Sequence, residues 1–218
     1  TGIGVNGWVT IDGQKMSKTV GNVLDPVELI NMYGLEPVRY FLLREIPFER
    51  DGDFSHARFK QRYDADLAND LGNLLSRSTN MIEKYFDGDI QKIQTALGEE
   101  ELSTLVGVKK IIADMNNKIV ENIQDLHFDL ALVDIWMFAK WGNILIDQTK
   151  PWQLAKEEKT ADLARVLYQL YLYLEAIGVQ LIPFLPETAQ KISHSLTGKK
   201  IIKTEPLFPR LTITTENI

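Results

Sequence analysis

With 218 residues, 44% of them hydrophobic, the chain has enough apolar material for a sizeable core, either as one domain or as a small module joined to a larger one. A net charge of −6 excludes a protein that coats nucleic acid non-specifically, so any RNA recognition must be local, through a few aromatic, amide and guanidinium groups. No apolar run approaches the roughly 20 residues of a bilayer span, the first residues do not read as a secretory leader, and cysteine is absent, which leaves no disulfide or thiolate metal site and makes a cytoplasmic protein the expectation.

Residues 1–12 read as a strand whose last part, Trp8-Val9-Thr10-Ile11, ends at an Asp12-Gly13 turn. Next comes Gln14-Lys15-Met16-Ser17-Lys18-Thr19-Val20-Gly21-Asn22, a short loop that sets two lysines and two hydroxyls between glycines. The ammonium groups of Lys15 and Lys18 are point charges on flexible stems, able to follow charge as it builds on a leaving pyrophosphate. Ser17, Thr19 and nearby N–H groups can donate to phosphate oxygens. The loop suits gripping the phosphates of ATP; a solvated lysine-rich turn is the plainer alternative.

Asp25 reads as a helix N-cap, with Pro26 in the first turn and Glu28 completing a capping-box-like arrangement, and Gly34 stops that helix after Tyr33. A second short helix is signalled by Pro37 and by Val38, Phe41 and Leu42, and ends before Pro47. Arg50-Asp51-Gly52-Asp53-Phe54 predicts a turn, and Ser55 can cap the next helix. From 55 to 86 one helical pattern, roughly 45–50 Å long at 1.5 Å per residue, carries Phe59, Tyr63, Leu67, Leu71, Leu74 and Leu75 on one broad face and ends at Asp87-Gly88-Asp89. Further helices are predicted over 99–124, 127–148 and 159–180, with a shorter one near 185–196. In the tail, 199–218, β-branched alternation is interrupted by Pro206 and Pro209, which restrict it to loop or edge structure. The expected architecture is mainly α: a small mixed α/β neck leading into an antiparallel helical bundle. His56, His127 and His194 lie far apart without metal-ligand spacing, so no metal site is expected.

On the long helix, Asn73 and Arg77 are one turn apart and lie about 120° or more from the centre of the leucine stripe, with Asn69, Asn80 and Lys84. An amide matches a base edge, and a guanidinium offers a planar fork and a stacking surface. A solvated polar face is the plain alternative. Trp136 and Trp141 fall inside an apolar helical pattern and read as core, whereas Trp152 follows Pro151 at a break between helices, where an indole can stack on an extruded base or pack on helix ends.

The loop resembles the KMSKS signature of class I aminoacyl-tRNA synthetases, with Thr19 in place of the final serine, and the likeness continues through Asn22-Val23-Leu24-Asp25-Pro26. Tyr40 to Phe48, Asp51-Gly52-Asp53-Phe54-Ser55, Asn69-Asp70-Leu71-Gly72-Asn73-Leu74-Leu75-Ser76-Arg77, Pro151-Trp152 and Pro206-Leu207-Phe208-Pro209-Arg210 resemble bacterial-type methionyl-tRNA synthetases. Asn6 departs from the family, which often has a histidine before the glycine.

The resemblance implies a division into residues 1–54, the lysine loop and stem-contact region at the tail end of a catalytic domain, and 55–218, an anticodon-binding helical bundle. It implies that Lys18, and secondarily Lys15, are catalytic, and that Lys15, Met16, Ser17, Lys18 and Thr19 contact ATP, which the full enzyme uses with Mg2+. It further implies that Asn73, Arg77 and Trp152 recognise the CAU anticodon of tRNA(Met). Methionine would be held by an upstream nucleotide-binding domain with its HIGH-like sequence, so the expectation is the C-terminal part of a methionine–tRNA ligase, inactive by itself. Two other readings stay open: a synthetase for isoleucine, valine or leucine, and a free-standing tRNA-binding module derived from a synthetase.

Overall fold

The computed structural model describes residues 7–17, 19, 21–48 and 50–211. The strand expected before the loop forms as β1 (Val9–Ile11) and returns as β2 (Gln14–Lys15), antiparallel, with Thr10 opposite Lys15. Asp12 and Gly13 both take positive φ, 49° and 74°, as a two-residue hairpin turn requires if its twist is to match the strands. α1 (Pro26–Tyr33) starts at Asp25, whose side chain accepts the Val27 N–H at 2.8 Å, and stops at Gly34 with φ 90°. α2 (Leu35–Glu45) comes directly after it.

The segment expected as a turn around Gly52 is instead β3 (Gly52–Phe54), parallel to β1, giving the sheet order β2-β1-β3. Three residues are too few to show alternation in sequence, and the strand depends on tertiary fit. A Cβ on Gly52 would lie 2.5 Å from the Ile46 side chain, and Phe54 is buried against Phe41 and Phe59.

The long helix is continuous but changes pitch. α3 (His56–Arg62), capped by the Ser55 hydroxyl, passes into a π-helical stretch (Tyr63–Gly72) and returns as α4 (Asn73–Phe86). Within the stretch an N–H reaches back five residues, as that of Asn73 does to the Ala68 carbonyl, so a wheel of about 100° per residue does not hold across it. Side chains of the facing helix help hold it: Trp136 Nε1–H donates to the Asp66 carbonyl at 3.1 Å, and Asn143 Nδ2–H to the Asp70 carbonyl at 2.9 Å.

Asp87 and Gly88 end α4 with φ of 54° and 74°. The bundle then consists of α5 (Ile90–Thr95), α6 (Glu99–Gln124), α7 (Phe128–Thr149), α8 (Pro151–Lys156), α9 (Thr160–Gln180) and α10 (Pro186–Thr197). The four longer helices match the expected ones to within one or two residues. α5 and α8, six residues each, are too short to announce themselves by periodicity. α9 is the central element, packed on α4, α5, α6, α7, α8 and α10, with Leu167, Leu170 and Leu174 fully buried. The tail to residue 211 is irregular, and its Pro209 carbonyl accepts the Tyr63 hydroxyl at 2.6 Å; the alternation at Thr212, Ile213 and Thr214 lies outside the described residues.

One apolar core joins neck and bundle. α2 packs on α7, and Tyr40 and Phe41 are each 1% exposed. Glu36 adds a polar tie: its buried carboxylate accepts the N–H groups of Glu187 at 2.6 Å and Thr188 at 2.9 Å, and the Thr188 hydroxyl as well. α10 starts at Leu185, which has no capping side chain, so Glu36 supplies that cap from 151 residues away. Among the described residues, no helix is long and apolar enough to cross a membrane.

Candidate functional site

The lysine loop stands on the small sheet. The pairings of Thr10 with Lys15 and of Thr10 with Asp53 make one row, Lys15–Thr10–Asp53, whose side chains share a face. Asp53 Oδ1 accepts the Thr10 hydroxyl at 2.6 Å and the Gly13 N–H at 2.8 Å. Those two bonds hold the Asp53 carboxyl below the usual carboxylate range. The Trp8 N–H donates to Asp51 Oδ1 at 2.7 Å, so both acids of Asp51-Gly52-Asp53 fasten the strand that leads into the loop. On the far side, Asn22 closes the loop: its Oδ1 accepts the Ser17 N–H at 2.8 Å and its Nδ2–H donates to the Lys15 carbonyl at 3.1 Å. The Gly21 N–H donates to the Ser17 carbonyl at 3.0 Å from a backbone with φ 80°.

Lys15 is exposed, its ammonium 5.1 Å from the ring centroid of Trp8, which is itself 71% exposed. Met16 and Ser17 are half-buried and Thr19 is exposed. Lys18 and Asn6 lie outside the described residues. Residue type alone does not single out Asp53 and Asn22. Asn22 acts on backbone groups and Asp53 on the Thr10 hydroxyl and the Gly13 N–H, and only the short spacing from Lys15 to Asn22 hints at one of them.

The second candidate site lies on the bundle. Asn73, the first residue of α4, is exposed and lines a groove of about 330 Å3 with Asn69, Ser76, Phe208 and Arg210. One turn on, the Arg77 guanidinium is 2.9 Å from Asp147 Oδ1, in the last turn of α7. Nothing in the sequence pairs these two, because the contact exists only once α4 and α7 pack. Trp152 is 46% exposed, as the stacking reading requires, but it does not sit in an irregular break. It lies in the first turn of α8, which Pro151 opens after Lys150 turns the chain with φ 46°. The structure thus places Asn73 and Arg77 on one face, Arg77 against the end of α7, and Trp152 just beyond that end. Among the described residues, Trp152 makes no hydrogen bond or cation–π contact with either. Trp136 is buried in the core, and Trp141 is half-buried against it, packed on Phe138 and Tyr173.

Fold and loop point to one class of protein. Residues 1–79 match the family model described as tRNA synthetases class I (M). Within that class, the chain is homologous over nearly its whole length to methionyl-tRNA synthetases. It is 44% identical to the methionine–tRNA ligase of Clostridium acetobutylicum, with 95% of this chain and 34% of that protein aligned. With the ligase of Bacillus subtilis the identity is 41%, over 94% of this chain and 33% of that one. The solved structure of Mycobacterium tuberculosis methionyl-tRNA synthetase in complex with methionyl-adenylate superposes with a TM-score of 0.79 at 30% identity, over 94% of this chain and 43% of that one. The chain spans about a third of the length of the curated relatives it matches.

Proposed function

We propose that this chain supplies two working parts of a methionine–tRNA ligase: the lysine loop that grips ATP, in residues 1–54, and the reader of the CAU anticodon of tRNA(Met), in 55–218. One observation carries the reading: a chain homologous to methionyl-tRNA synthetases presents both a hairpin-mounted, Asn22-closed lysine loop and a helix face bearing the exposed Asn73 and the half-buried Arg77. The division is one of task, since the core runs through both parts.

In the whole enzyme the methionine carboxylate attacks the α-phosphate of ATP and pyrophosphate leaves; a hydroxyl of the terminal adenosine of the tRNA then takes the methionyl group from the adenylate, and AMP leaves. Mg2+ accompanies the ATP. Lys18 and Lys15 meet negative charge as it moves onto the leaving pyrophosphate, and Ser17, Thr19 and the backbone at Met16 donate to phosphate oxygens. Interactions of this kind accelerate the step only insofar as they strengthen with that charge. On the bundle, the Asn73 amide and the Arg77 fork address base edges and the Trp152 indole stacks on an unpaired base.

Amino-acid-dependent pyrophosphate exchange by the full-length protein tests the assignment. Methionine is the expected substrate, and Lys18→Ala is expected to lower exchange by about 10²–10³-fold with little change in methionine affinity. Exchange faster with isoleucine or valine, or a loss below about threefold at saturating ATP, contradicts it.

A further inference from the structure

Asp53 has no assigned part in nucleotide chemistry, yet it is built into the mount of the lysine loop. It is the far member of the row Lys15–Thr10–Asp53, and its Oδ1 receives two donors, the Thr10 hydroxyl at 2.6 Å and the Gly13 N–H at 2.8 Å. The first bond fixes the central strand of the row. The second fixes the turn from which β2 and Lys15 depart. Gly13 has φ 74° and open space where a Cβ would be, so on its side of the turn the Asp53 bond is the tie, while Asp12 is tied to β3 by its N–H donating to the Phe54 carbonyl at 3.0 Å. Arg58 faces the carboxylate loosely, its Nη1 3.8 Å from Asp53 Oδ2, while its Nη2 meets Glu45 at 2.7 Å.

On the reading of the loop as a grip for ATP, we propose that Asp53 is a positioning residue for adenylate formation: it sets the angle at which the hairpin presents Lys15 to the ATP phosphates, acting through Thr10 and Gly13. A two-stranded hairpin with a two-residue turn is marginal by itself, and a lysine displaced by about an ångström forfeits much of its transition-state contact. The depressed carboxyl of Asp53 agrees with the two donors it receives. The chemistry recognised is that of a nucleoside triphosphate, as at the loop itself.

The test is a double-mutant cycle in the full-length ligase, read by methionine-dependent pyrophosphate exchange. Asp53→Ala is expected to lower kcat about tenfold with the KM for methionine unchanged, and Thr10→Val, which keeps a β-branched strand residue, about threefold. Asp53→Asn keeps an oxygen facing both donors and is expected to recover at least about half the rate. In a Lys15→Ala background, Asp53→Ala is expected to cost less than about twofold, because the group it positions is gone. The same tenfold loss in both backgrounds, an unaffected kcat, or Asp53→Asn as slow as Asp53→Ala overturns the proposal. If Lys15→Ala alone is silent, the reading of Lys15 falls and the proposal with it. If Lys15→Ala is slow while Asp53→Ala is not, only the proposal falls.

Discussion

Replacing Glu36 by alanine is expected to loosen the far end of the bundle. The Thr188 N–H and hydroxyl both point at Glu36 Oε2, and Thr188 is 2% exposed, so neither finds water when the carboxylate goes. Each unsatisfied buried donor costs about 1–3 kcal/mol. Glu187 is exposed, so its N–H can turn to solvent at little cost. Removing a buried carboxylate returns part of the loss, because its own desolvation is no longer incurred. The net expectation is about 2–4 kcal/mol. With a urea dependence of about 2–3 kcal/mol per molar, the unfolding midpoint should fall by roughly 1 M. Glu36→Gln keeps one acceptor oxygen but turns an NH2 toward donors, and should lie between the two. A midpoint shift for Glu36→Ala below about 0.3 M would show that Glu36 does not cap α10, and that α2 is held to the bundle by apolar packing alone.

In hydrogen exchange, amides around Leu71, which is buried at 1% exposure, should exchange far more slowly than those of the exposed Lys15 and Thr19, and equally slow exchange in both would contradict the exposure of the lysine loop. Asp53 has its carboxyl pKa lowered from 3.8, first by the Thr10 hydroxyl and then by the Gly13 N–H. A depressed acid contributes its tether fully above the ordinary value and loses it as pH falls through the folded one, so the Gly13 amide resonance should hold still from pH 8 to about pH 5 and move only below 3.8; movement near neutrality would contradict the assignment. Alanine at Gly7 should disrupt the neck, because its Cβ would overlap the Arg50 backbone; unchanged circular dichroism and exchange activity in Gly7→Ala would count against the β1–β3 pairing.

Much of this fold was legible because its signals are local. Asp25, Pro26 and Gly34 bound α1 by cap, fixed φ and positive φ, and the long bundle helices show their apolar period over several turns. What stayed hidden depends on partners distant in sequence. β3 exists because Gly52 fits under Ile46, and the π-helical stretch because Trp136 and Asn143 reach its carbonyls from α7. Of the site, the lysines were readable by type, whereas Asp53, which meets Thr10 and Gly13 from 40 or more residues away, and Asn22, which acts on backbone groups, were not. Arg77 was visible and its partner Asp147 was not, since α4 and α7 meet only after folding.

Binding of an anticodon stem-loop tests the role of the bundle most directly. Fluorescence anisotropy of a labelled CAU stem-loop with this chain should show weak but selective binding, lost when the first anticodon base is changed. Trp152→Ala should remove about 1–3 kcal/mol through lost stacking, and Arg77→Ala a similar amount through its lost fork, with methionine-dependent pyrophosphate exchange of the full-length ligase unchanged in both. Equal affinity for CAU and altered loops, undiminished in both variants, would contradict the account and leave the polar face of α4 a solvated surface.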